Sequence, residues 1–172
     1  MLDNVTKAVE QFESHVPSSA TVLLILKAHL VLEVRLNEFI RARVSQELYQ
    51  EIELPREGSF RVKLLLARAL AERDEIPSDN IAILWPALKQ LEKLRNDVAH
   101  ILEHKGTSLE DQMRAFIQKV DPLGELWGKS ILAEDLNRTF HSAAHYLNSL
   151  LAIERDPLLI ADEALDPFNW LA

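Results

Sequence analysis

The sequence predicts an all-α domain, and three observations carry that expectation. Apolar residues recur at three- and four-residue spacing along nearly the whole chain, and no stretch alternates apolar with polar for the length a strand needs. The periodic segments are separated by clusters holding Pro17, Pro55 with Gly58, Pro77, Gly106, and Pro122 with Gly124, the punctuation expected between helices. The chain has 172 residues, 48% of them hydrophobic, enough for one core, so a single domain over 1–172 is expected.

The first helix is predicted from about Asp3, an N-cap residue type, with Val5, Ala8, Val9, Phe12 and Val16 on one face and Pro17-Ser18-Ser19 as its end. A second, from about Ala20 to Val44, is apolar nearly all round through Val22, Leu23, Leu24, Ile25, Leu26, Leu30, Val31 and Leu32, which predicts the central buried helix. Gln50 to Ser59 reads as a loop. The third helix is Phe60 to about Arg73, with Phe60, Leu64, Ala67, and Leu70 or Ala71 inward.

A second loop follows from Asp74 to Asp79, and the fourth helix carries Ile81 to about His104, with Gly106 supplying the left-handed residue a helix end favours. Pro86 falls in its first turns, so the helix begins after Leu84 or kinks there. Thr107-Ser108-Leu109-Glu110 has capping-box spacing and opens a short fifth helix through about Lys119, closed by Asp121-Pro122. Gly124 and Gly128 mark a turn. A sixth helix runs from about Ser130 to Arg155, with Leu132, Leu136, Phe140, Ala143, Leu147 and Leu151 inward. The tail, 156–172, mixes acidic residues with Leu159, Ile160, Phe168, Trp170 and Leu171; it either packs on the bundle or docks in the groove of a protein partner.

Composition narrows the function classes. The chain has no cysteine, which excludes disulfides and thiolate metal sites and points to a reducing cytoplasmic setting. The start, Met1-Leu2-Asp3-Asn4, lacks the pattern of a leader, and Val22 to Val34 is broken by Lys27, His29 and Glu33, so no membrane span is expected. The net charge of −8 argues against a general nucleic-acid binder. Only 56–73 is basic, through Arg56, Arg61, Lys63, Arg68 and Arg73. Four scattered glycines form no phosphate-cradling loop. Trp85, Trp127 and Trp170 are dispersed and read as packing groups.

One stretch departs from ordinary amphipathic design. On a helical wheel through the fourth helix, Leu84, Ala87, Leu88, Leu91, Leu94, Val98, Ile101 and Leu102 form an apolar arc, and Arg95 lies inside it. A buried guanidinium without a carboxylate is costly, so Arg95 should find a partner or line a wet cleft. His29, Glu33 and Asn37, four apart, form a polar seam on the second helix, and Glu33 is the expected partner of Arg95. One reading of this set is a buried polar network that fixes helix register. His100 and His104 are also four apart, but a metal site needs a third ligand such as His29, His141 or a carboxylate, and no metal site is expected.

The other reading comes from a resemblance. Arg95-Asn96-Asp97-Val98-Ala99-His100, set as Leu91-x-x-Leu94-Arg95-Asn96-x-x-Ala99-His100, resembles the Arg-x(4–6)-His motif of the HEPN superfamily, and His29-Leu30-Val31-Leu32-Glu33 on a long second helix is similar to many bacterial members. Arg138 and His145 fit the same spacing but fall on a polar face, where a solvated pair is expected. The resemblance implies a HEPN-like bundle of about five to six helices, a homodimer, and metal-independent RNA cleavage of a defence or toxin-like kind without a cofactor. His100 would then move a proton, Arg95 neutralise developing phosphate charge, Asn96 hold the site and Glu33 orient Arg95, supported by His29 and Asn37. Arg61, Lys63 and Arg68 would meet the RNA if their helix borders the cleft. Residues five apart on a helix point about 140° apart, so Arg95 and His100 converge only with a loosened helix end, a long reach, or a second subunit. The alternative is a catalytically silent homodimer that binds a protein or small ligand.

Overall fold

The computed structural model describes residues 21–44, 60–74, 78–99, 108–128 and 131–154, together with Lys7. The predicted helix over 3–16, the loop at 50–59, His100, His104, Gly106 and the tail over 156–172 lie outside the described residues. Among the described residues five α-helices are delimited: α1 (Thr21–Arg43), α2 (Phe60–Arg73), α3 (Ser78–Ala99), α4 (Leu109–Val120) and α5 (Leu136–Glu154). No strand occurs among the described residues, and the fold is all-α.

Side-chain pairs fix the polarity of the bundle. Against α1, α2 pairs 29 with 60, 33 with 63 and 43 with 74, and α5 pairs 21 with 137 and 35 with 148, so both run parallel to α1. The Phe39 ring meets Trp85 edge-on at 6.1 Å, while Arg95 lies within electrostatic reach of His29, so α3 runs the opposite way. Phe116 packs against Phe140 with ring centroids 4.8 Å apart and planes tilted by 43°, and Tyr146 feels Asp121, so α4 parallels α5. The C-terminal turns of α3 therefore lie toward the end where the other four helices begin.

The core is apolar and continuous across all five helices. Leu32, Leu36, Phe39 and Ile40 of α1 meet Leu88 and Leu91 of α3, Phe116 of α4, and Phe140 and Leu147 of α5, all essentially without exposure. In α2, Phe60, Leu64, Ala67, Leu70 and Ala71 face inward as the periodicity predicts. α1 is central, but only on one side: Val22, Leu23, Leu26, Leu30 and Val34 are exposed, which corrects the expectation of a helix buried all round.

Other local departures have identifiable causes. α3 begins at Ser78 and continues through Pro86. Pro86 and Ala82 are both exposed, so the turn that lacks the Pro86 amide lies on the solvent side of the helix. The cap of α4 is Ser108, one residue later than expected; its Oγ accepts from the Asp111 N–H at 3.1 Å. The last helix starts at Leu136 rather than at Ser130, after a 3-10 turn over Ala133–Asp135 that leaves Leu132 exposed instead of inward. Ahead of that turn, the Asp121 carboxylate accepts from the N–H groups of Glu125, Leu126 and Trp127 at 2.9, 3.0 and 3.1 Å. Gly124 and Gly128 bracket these residues at φ 70° and 78°, the left-handed conformation their sequence positions predict.

Candidate functional site

The site is built from the C-terminal turns of α3 and the facing seam of α1 and α2. Leu91, Leu94 and Val98 of α3 are buried, whereas Arg95 and Asn96 are exposed. Arg95 Nη1 donates to Asn96 Oδ1 at 3.0 Å. The wheel places Arg95 inside the apolar arc, but that arc is not covered along its whole length. Near this end α3 leans on α4, where Gln112 Nε2 donates to Asp97 Oδ2 at 2.5 Å, and the flank holding Arg95 is left to water.

The expected pair between Glu33 and Arg95 is not formed. Lys63 of α2 takes the carboxylate instead, with Nζ 2.5 Å from Glu33 Oε1. The reason is relative hydration. Lys63 is 4% exposed and cannot keep its ammonium in water, so it needs the carboxylate, whereas Arg95 is solvated where it stands. Lys63 is thus an interior cation rather than part of a basic surface. Arg61 and Arg68 are exposed, and Arg68 Nε is 2.8 Å from Glu72 Oε1.

His29 completes the seam. It is buried beneath Phe60, with ring centroids 4.4 Å apart, and its Nδ1 is 4.0 Å from Glu33 Oε2. Its Nε2 has no hydrogen-bond partner among the described residues. Burial lowers its pKa from 6.5 to about 4; Glu33 works against that shift, and the Arg95 and Lys63 cations reinforce it. His29 is therefore a neutral imidazole near pH 7. Asn37, one turn beyond Glu33, is half-buried.

The structure brings together His29, Glu33, Lys63 and Arg95 with Asn96, and it places Arg61 on the same end of α2. Chemically, the set offers an accessible guanidinium, a buried ammonium paired with a partly buried carboxylate, and a neutral imidazole. A guanidinium that commits one donor to Asn96 keeps further N–H groups for an anion. Neither the Lys63 contact nor a second interior network is expected from the sequence. In that network Arg35 Nε donates to Asn148 Oδ1 at 3.1 Å and Arg35 Nη1 lies 2.6 Å from Glu38 Oε2, with Asn148 fully buried. A charged residue at a core register position in α1, where Arg35 falls between Leu32 and Leu36, is the signal that could have found it.

Arg138 is exposed and pairs with Asp135 at 2.6 Å, the surface role its position suggests, whereas His145 is half-buried with its Nε2 shut off from water, so it is not the solvated partner expected beside Arg138. No described helix is long and apolar enough to cross a membrane. Compared with protein-family models, curated proteins and solved structures, the chain matches none.

Proposed function

We propose that the protein is a HEPN-like, metal-independent endoribonuclease of a defence or toxin-like system, acting as a cytoplasmic homodimer. The observation that carries this reading is the exposure of Arg95. A register-fixing network would seal that guanidinium with Glu33; instead Glu33 belongs to Lys63, and Arg95 faces solvent beside Asn96. In the proposed reaction the ribose 2′-oxygen attacks phosphorus, the bond to the 5′-oxygen breaks, and a cyclic phosphate forms. His100, four residues from Asn96, handles the proton on the attacking or leaving oxygen. Arg95 stabilises charge on the phosphate oxygens, and Asn96 holds the guanidinium. Arg61 and Arg68 supply the cationic approach that the acidic chain otherwise lacks.

Cleavage of a structured RNA mixture in excess chelator tests this reading, with wild type compared with His100→Ala and Arg95→Ala. Chelator-resistant cleavage lost in both variants supports it. Absence of cleavage by wild type removes it. A second reading, a silent helical module that binds a protein, is favoured by the exposed apolar face that α1 and α2 present among the described residues, where Leu30 and Leu65 are the most exposed side chains.

A further inference from the structure

The outer face of the bundle is apolar over two adjacent helices. Leu23, Leu26, Leu30 and Val34 recur at three- and four-residue spacing down α1 and all point away from the core; Leu30 is 60% exposed. Beside them, α2 turns Val62 and Leu65 outward, with Leu65 59% exposed. Cations flank the patch on both sides. Lys27 stands on the α1 side and Arg61 on the α2 side, neither with an ion-pair partner among the described residues, and Arg68 lies one turn beyond Leu65 in its exposed pair with Glu72. A contiguous apolar patch of this kind, rimmed by charge, marks a surface built to be covered.

We propose that the C-terminal segment 156–172 docks on this face of its own chain. Its composition is the complement of the patch. Leu158, Leu159, Ile160, Leu165, Phe168, Trp170 and Leu171 supply apolar anchors, while Asp156, Asp162, Glu163 and Asp166 supply negative charge with no lysine or arginine among them. Its point of departure also fits. α5 runs parallel to α1 with Asn148 level with Arg35, so the segment leaves the bundle beside the last turn of α1. Seventeen residues reach up to about 56 Å when extended, and α1 is about 35 Å long, so the whole patch is within reach. Tethering makes the docking intramolecular, which raises its effective concentration over that of any free partner of equal chemistry. The inference does not require the ribonuclease reading, but a docked segment would compete with RNA for Arg61 and Arg68.

Hydroxyl-radical footprinting of the full-length chain tests it, with Leu30 and Leu65 as reporters and exposed Leu123 as the reference for free access. In wild type, Leu30 and Leu65 should label roughly tenfold more slowly than Leu123 after correction for intrinsic reactivity, a ratio equivalent to about 1.4 kcal/mol of docking. That protection should be independent of protein concentration. It should be lost in the triple variant Phe168→Ser/Trp170→Ser/Leu171→Ser, which leaves the described helices intact, and weakened by Arg61→Glu with Arg68→Glu. Three results would overturn the proposal. Free labelling in wild type means that the face is bare. Protection that fades on dilution means that a second copy covers it. Protection that survives both dilution and the triple variant assigns the face to the segment before Thr21.

Discussion

The Lys63 ammonium sits 2.5 Å from the Glu33 carboxylate inside a wall made by α1 and α2, and it is the lysine rather than the carboxylate that is sealed. Lys63→Met should therefore leave a partly buried carboxylate facing apolar carbon and cost about 3 kcal/mol. Glu33→Leu alone should cost at least as much, because the ammonium has no other acceptor within hydrogen-bond distance among the described residues. The double variant should recover most of the loss. Urea unfolding of the four proteins measures the coupling; a coupling near zero would mean that water already screens the pair.

Stability should fall in acid through His29. The imidazole titrates near 6.5 in the unfolded chain and at about 4 in the fold, so between those values the unfolded state binds more protons. This contribution is fully in place above pH 6.5, shrinks as pH falls from 6.5 to 4, and is constant below. The total is about 3 kcal/mol by the usual conversion of a pKa difference. His29→Gln should flatten unfolding free energy across that window, measured in urea at closely spaced pH. An unchanged slope would assign the acid sensitivity to other groups.

Asp121 stabilises the turn after α4 by accepting three backbone N–H groups. Asp121→Ala leaves all three without that acceptor and should cost about 2 kcal/mol. Asp121→Asn keeps one carbonyl acceptor and should cost less. Amide exchange at Glu125, Leu126 and Trp127 should accelerate in the same order, and uniform acceleration across the chain would indicate global rather than local loosening.

The helices were legible because burial follows periodicity: Phe60, Leu64, Ala67, Leu70 and Ala71 in α2, and Phe140, Ala143, Leu147 and Leu151 in α5, are buried where spacing places them. Two things escaped. Periodicity says which residues are apolar, not whether a neighbour covers them, so Leu30 on α1 and Leu132 before α5 read as core and are exposed. Long-range pairing is not written in spacing either. Glu33 had two cations within plausible reach, Arg95 and Lys63, and the choice depended on which of them the packing of α2 would strip of water. Arg95 and Asn96 were legible as a unit through their neighbouring positions; spacing left Arg95 open between a carboxylate partner and a wet cleft, and it stands in solvent.

In the proposed reaction Arg95 works on a bound anion rather than holding the bundle together. Paired measurement of unfolding free energy and chelator-resistant RNA cleavage for wild type and Arg95→Ala tests it most directly. Because Arg95 is exposed and its described hydrogen bond is to its neighbour Asn96, the variant should unfold within about 0.5 kcal/mol of wild type while cleavage is lost. A loss of about 2 kcal/mol or more, with no cleavage by wild type, would make Arg95 a structural residue and contradict the account.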